Sequence, residues 1–268
     1  MDERLQRRVQ RYGWDKASGY YEKFWRDQLK PAQELLLEMA CLHRGEKVLD
    51  VACGTGLVSF EALEKVGVTG SVTGTDISDN MIAEALAQAE EKQIRFMRMD
   101  AEGLQFENDL FDVALCSLGL MYFPNPIKAL MEMHRVLKPG GRTVAAAWGK
   151  REACGWASIF EIVDAEVASE VCPMFFNLGN PDMLAISFSK AGFHSVEVRR
   201  ISTTLHYANA REALGAAFEG GPVALAYHKF SETTKEKVHE AYLRSLSQYK
   251  KGEGYEVPGE FVITRGQK

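Results

Sequence analysis

A chain of 268 residues, 46% of them hydrophobic, has room for one full-sized α/β domain with appended elements, and too little for two large independent domains. Its 32 basic and 37 acidic side chains leave a formal net charge of −5, without the basic excess that a nucleic-acid-binding surface needs. The five scattered cysteines (Cys41, Cys53, Cys116, Cys154 and Cys172) form no CxxC pair and no Cys/His zinc spacing, which predicts reduced thiols and no resident metal. The start, MDERLQRRVQ, is charged where a signal peptide would turn apolar. The longest apolar run, Val113 to Phe123, is too short to span a bilayer. Both features predict a cytoplasmic protein without a membrane span.

In chain order, residues 12–40 read as helices carrying Tyr12, Trp14, Tyr20, Tyr21, Phe24 and Trp25. From residue 47 short apolar runs predict strands at Lys47–Val51, Ser71–Thr75, Ile94–Met99, Phe111–Ser117 and Arg142–Trp148. Between them, Ser78 is a predicted N-cap for a helix with Ile82, Ala85, Leu86 and Ala89 on one face. Asn125-Pro126 opens another helix, with a stripe of Ile127, Leu130, Met131 and Leu137, and Lys138-Pro139-Gly140-Gly141 stops it. Strands alternating with helices in this way predict βαβ units and a parallel sheet. Further on, 151–180 is mostly helical in pattern and Asn180-Pro181-Asp182 starts a helix. A strand follows near 195–201, 208–252 is helical with a break at Gly220-Gly221-Pro222, and Glu260–Arg265 reads as a terminal strand.

The stretch KVLDVACGTGLVSFEAL, residues 47–63, places Gly54 and Gly56 between the first strand and the first helix of the sheet. There bare backbone and free helix N–H groups from Leu57 onward admit a ligand. Ser59 stands where a dinucleotide loop wants its third small residue, and Asp76 follows Gly56 by 20 residues at a strand end, where an acid would bind a ribose. The spacing suits a nucleotide cofactor of either kind. Asp50, at the strand mouth four residues before Gly54, would repel a pyrophosphate and attract a sulfonium or ammonium group, which favours S-adenosyl-L-methionine. The alternative is that Asp50 only bonds the N–H groups of the turn.

Four motifs in order, VLDVACGTG, VTGTDISDNMIAEA, MDAEGLQFENDLFDVALCSLGLMYF and HRVLKPGGR, span roughly residues 45–150. Together they resemble the class I S-adenosylmethionine-dependent methyltransferases, and among them the subgroup of the ubiquinone/menaquinone C-methyltransferases. The resemblance implies an α/β fold: a doubly wound, seven-stranded, mostly parallel sheet of Rossmann-like type with its last strand reversed. The helices of 1–40 would form a cap, and 41–268 the cofactor-binding domain, with helical additions at 151–180 and 208–252. By the same resemblance, Asp50, Ala52, Gly54, Thr55 and Gly56 would hold the methionine part of the cofactor. Asp76 would take the ribose hydroxyls, with Ile77 and Met81 near the adenine. Asp100, Ala101 and Glu102 would meet the adenine amino edge, and Ser117 would face the sulfonium side, with Tyr21 alongside the cofactor. Two departures stand out. Ala52 replaces the glycine of many relatives, and Met121-Tyr122 replaces an Arg-Asn pair typical of the quinone enzymes by a bulkier, more apolar wall.

Methyl transfer needs alignment above all, and a base only where the acceptor carries a proton. Tyr122 is the best polar candidate near an acceptor, with packing as its alternative role; His134 shares an apolar helix stripe, and His194, His206 and His228 read as surface or structural. Tyr20, Tyr21, Trp25, Trp156, Phe160, Phe175 and Phe176 lie in the segments that select the acceptor in this family. They predict a small, largely apolar or aromatic metabolite, methylated at carbon or oxygen, and no nucleic-acid partner. An NAD-dependent oxidoreductase and a cofactor-binding regulatory protein without turnover remain as alternatives at this point.

Overall fold

Residues 3–89, 93–168, 172 and 174–268 are described by the computed structural model. The amino-terminal segment is one helix, α1 (Glu3–Ala40), 38 residues long, where several were expected. Gly13, Gly19 and Pro31 punctuate its sequence, but Trp25, Leu29, Ala32, Leu36 and Met39 are buried, and that burial carries the helix through Pro31.

The sheet units follow: β1 (Lys47–Val51), α2 (Leu57–Val66), β2 (Ser71–Asp76), α3 (Asp79–Ala89), β3 (Ile94–Arg98), β4 (Phe111–Ser117), α4 (Pro126–Val136) and β5 (Leu137–Trp148). Then come α5 (Ser158–Asp164), α6 (Met183–Lys190), β6 (His194–Tyr207), α7 (Ala210–Leu214), α8 (Ala224–Tyr227), α9 (Glu232–Ser245), β7 (Lys250–Lys251) and β8 (Gly254–Gln267). The strand order is β3-β2-β1-β4-β5-β8-β6, with β8 antiparallel to both of its neighbours. This is the expected seven-stranded plan with one addition, the two-residue β7, which pairs with β8 at Lys250–Tyr255 and Lys251–Gly254. The chain leaves the centre of the sheet in both directions from β1 and β4, so the carboxyl ends of those two strands form the switch point where ligands bind in such sheets.

Local chemistry sets several boundaries. Ser78 Oγ accepts the N–H of Met81 at 3.1 Å and caps α3, and Asn125 Oδ1 accepts that of Lys128 at 3.0 Å and caps α4. The buried faces differ in detail from the predicted stripes. Leu86 and Met131 are half exposed, because Met81, Ile82, Ala85 and Ala89 cover the sheet on α3, and Ala129, Leu130, Met133 and Val136 on α4. Leu137 already belongs to β5. The segment 151–180 is less helical than its pattern suggests: α5 has seven residues, and the rest of its described residues are turns and single 3-10 turns.

Candidate active site

The loop between β1 and α2 turns sharply because Ala52, Gly54 and Gly56 all have positive φ, at 57°, 55° and 91°. A Cβ on Gly56 would fall 2.9 Å from the rings of Phe60 and Phe96, so both conformation and space demand glycine there. Ala52 holds the same left-handed region with a Cβ, at a cost of about 1–2 kcal/mol. Asp76, at the end of β2, fastens the loop: its Oδ2 accepts the N–H of Gly54 at 2.9 Å, and its Oδ1 that of Ser78 at 2.9 Å.

Above these strand ends lies a cavity of about 1020 Å³, its mouth included. Ten of the predicted residues line it. Ala52, Gly54, Asp76, Ile77, Asp100, Ala101 and Ser117 come from the strand ends and the loops that follow them, Met81 from the first turn of α3, Tyr21 from α1, and Tyr122 from the turn after β4. Asp50, Thr55, Gly56 and Glu102 stand behind the wall. Asp50 does not face the cavity as expected, and it bonds the Ser59 hydroxyl of α2 at 2.5 Å rather than the N–H groups of the turn. Its Oδ1 is buried without a hydrogen-bond partner among the described residues. Thr55 lies toward Glu22 without a formed hydrogen bond. Glu102, also buried, accepts the guanidinium of Arg7 and, at 2.9 Å, the N–H of Asn125, so it ties α1 and the start of α4 to the turn after β3.

Burial is the largest influence on both acids beside the loop. It lifts the Asp50 carboxyl to about 7 against the opposing hydrogen bond from Ser59. Asp76 is lifted to about 6, against the N–H groups of Ser78, Gly54 and Ile77, which favour the anion. A cation in the cavity beside Asp76 would reverse part of that cost. Tyr21 and Tyr122 are held protonated by burial, Tyr21 also by the nearness of Asp76 and Asp50.

Away from the loop the cavity wall is aromatic. Trp14 meets Tyr21 at 5.8 Å and Tyr122 at 5.1 Å, and Tyr122 meets Phe175 at 5.5 Å, all edge to face. The series continues from Phe175 to Trp156 at 5.6 Å, to Trp148 at 4.7 Å and to Trp25 at 6.0 Å. Phe160 and Phe176 support this wall from behind, and Tyr20 faces outward, so these three do not line the cavity. The Trp25 indole N–H donates to the Ala216 carbonyl at 3.2 Å, whereas that of Trp156 is buried without an acceptor among the described residues, and the Ser117 hydroxyl is likewise without a partner among them. An unpaired buried donor costs about 1–3 kcal/mol.

Pattern reading missed Arg7, Gln10, Trp14, Leu29 and Trp148, and also Gly221 and Pro222 of the loop before α8, all of which line the cavity. Spacing offered a signal for the first four. Arg7, Trp14 and Tyr21 are seven residues apart, and Gln10, Trp25 and Leu29 complete a stripe along one helix. No histidine is among the described lining residues. His134 packs its ring on Phe193 at 5.0 Å, and His194 and His206 are exposed. Among the described residues there is no group of three potential metal ligands, and no helix long and apolar enough to cross a membrane.

Residues 22–178 match the sequence model of the ubiE/COQ5 methyltransferase family. A demethylmenaquinone methyltransferase of Staphylococcus aureus is 31% identical over 192 residues, which cover 65% of this chain and 78% of that protein. The fold is shared with the YcgJ protein of Bacillus subtilis, at a TM-score of 0.61 and 18% identity over 89% of this chain and 98% of that one. It is shared too with phosphoethanolamine N-methyltransferase 2 of Haemonchus contortus, solved with S-adenosyl-L-methionine, at a TM-score of 0.61 and 20% identity over 95% of this chain and 57% of that one. The chain belongs to the ubiE/COQ5 family and is a class I S-adenosylmethionine-dependent methyltransferase.

Proposed function

We propose that this enzyme methylates a small, largely apolar or aromatic metabolite, at carbon or oxygen, inside the cavity above β1, β2 and β4. The observation that carries the reading is the division of that one cavity. Its strand end offers bare backbone at Gly54 and the carboxylates of Asp76 and Asp100, while its far end is walled by Trp14, Tyr122, Trp148, Trp156 and Phe175. Membership of a methyltransferase family sets aside the dehydrogenase and non-enzymatic alternatives.

The residues fit the cofactor. Two unpartnered buried oxygens, Asp50 Oδ1 and Ser117 Oγ, flank the loop, and the two buried acids suit a cationic ligand. When bound, S-adenosyl-L-methionine supplies an electrophilic methyl group on a positively charged sulfur. Asp76 would hold the ribose hydroxyls, Ile77 and Met81 would flank the adenine, Asp100 and Ala101 would meet its edge, and the Ala52–Gly56 backbone would take the methionine part. Asp50 and Glu102 act from behind, as a buried charge and as a clasp for Arg7. The aromatic wall excludes water and aligns the acceptor, and such alignment can lower a barrier by about 7–11 kcal/mol. Among the described residues no histidine or acid lines the aromatic end, so an acceptor that reacts as its anion would form that anion before binding. In this scheme α1 and the segments 151–180 and 208–252 serve as a cap on the sheet.

The reading is tested in two steps. S-adenosylmethionine, and not NAD, should raise the melting temperature. A screen of phenols, quinols, amines and natural-product scaffolds, read by S-adenosylhomocysteine release, should find turnover among apolar compounds. Turnover confined to charged, hydrophilic acceptors would overturn it.

A further inference from the structure

We propose that the indole N–H of Trp156 is the group that recognises the acceptor, by donating a hydrogen bond to an oxygen attached to a flat, apolar ring. This rests on the reading of the aromatic end as the acceptor's place. Trp156 follows β5, lines the cavity, and packs edge to face on Trp148 at 4.7 Å and Phe175 at 5.6 Å. An indole nitrogen can only donate. Within the same cluster the N–H of Trp25, also on the wall, is satisfied by the Ala216 carbonyl. That of Trp156 is buried with no acceptor among the described residues. The charged side chains of the lining, Arg7, Asp76 and Asp100, belong to the cofactor end, where Arg7 pairs with Asp100 and Asp76 holds the loop. Edge-to-face rings with an unpaired N–H among them favour a phenol or an enolisable ketone over a plain hydrocarbon.

The test uses protein labelled with nitrogen-15 at its indoles and saturated with S-adenosylhomocysteine, titrated with 1-naphthol and with naphthalene. The Trp156 resonance is identified by its absence in Trp156→Phe. We expect 1-naphthol, and not naphthalene, to move that resonance downfield. We also expect Trp156→Phe to weaken 1-naphthol roughly tenfold, while naphthalene and S-adenosylhomocysteine change less than twofold. If the variant does not fold, the wild-type resonance, assigned through its contacts with Phe175, carries the test alone. Binding of both probes with the indole resonance unmoved, or with equal affinity for wild type and variant, overturns the role of Trp156 and leaves the acceptor reading standing. If neither probe binds to protein that has bound S-adenosylhomocysteine, both fall.

Discussion

The backbone N–H of Gly54 points at Oδ2 of Asp76 across 2.9 Å, so the loop after β1 is held in place by the acid at the end of β2. The side chain proposed to hold a ribose also shapes the backbone proposed to hold the methionine part. Asp76→Ala should therefore cost about a hundredfold or more in S-adenosylhomocysteine affinity by calorimetry, equivalent to about 2.7 kcal/mol, while the protein stays folded. Near-normal affinity would remove Asp76 from the site.

The buried acids make a pH prediction. Asp50 and Asp76 both lie above their ordinary value of 3.8, at about 7 and about 6, so the folded protein holds these protons more tightly than the unfolded chain. The resulting stability is complete below the ordinary value and is lost as pH rises through 6 and then 7. Thermal melts between pH 5 and 8, on the order of that window, should fall less steeply for Asp50→Asn than for wild type. Affinity for the cationic cofactor should rise over the same range, less so in the variant. Identical melting profiles for the two proteins would take Asp50 out of the effect.

Ala52 is a strained residue where glycine would be relaxed. Ala52→Gly relieves about 1–2 kcal/mol of left-handed strain and adds about 0.5–1 kcal/mol of unfolded-state entropy. The net gain, about 0.5 kcal/mol, should raise Tm by about 1–2 °C in calorimetry. A fall in Tm would show that the alanine methyl contributes packing that outweighs the strain.

Ser78 joins three elements: its hydroxyl accepts the N–H of Met81 in α3 and donates to Asp15 Oδ1 of α1 at 2.6 Å, and its own N–H donates to Asp76 of β2. Ser78→Ala should cost about 1 kcal/mol from the lost cap and lower Tm by about 2–4 °C. Because Asp15 also accepts the N–H of Asn80, at 3.2 Å, the first half of α1 should become easier to cleave by trypsin without detaching altogether.

Tyr122 stands between Trp14 and Phe175 on the aromatic wall. Tyr122→Phe should reduce kcat for an identified acceptor more than it changes S-adenosylhomocysteine affinity. Equal losses in both would place its hydroxyl at the cofactor instead.

What could be read from the chain alone was whatever neighbouring residues decide. Ser78 and Asn125 carry their caps within three residues, and Gly54, Gly56 and Asp76 are placed by strands that pair side by side. The mostly parallel, doubly wound sheet and the reversal of its last strand followed from the alternation of elements and the family resemblance. What escaped depends on distant partners. Arg7 meets Glu102 across 95 residues of chain, which no local pattern announces. The direction of Asp50 was decided by Ser59 of α2, nine residues on, rather than by the strand mouth. Aromatic composition marked the right segments but could not separate Trp156 and Phe175, on the wall, from Phe160 and Phe176 behind it.

Arg7, Trp14 and Tyr21 stand at the same helix as Trp25 and Leu29, and all five line one cavity. From Arg7 to Leu29 the axis of α1 runs about 33 Å as a single rod. Its second half is fixed in the core by Trp25, Leu29, Ala32 and Leu36, whereas its first half is held by ion pairs and by Asp15. Anything that lifts the amino-terminal half to let the cofactor pass also shifts the wall against which the acceptor rests. If both proposed ligands use this cavity, their entry and departure would be linked through that half of the rod, and a fixed sequence of loading and release is the kinetic signature expected.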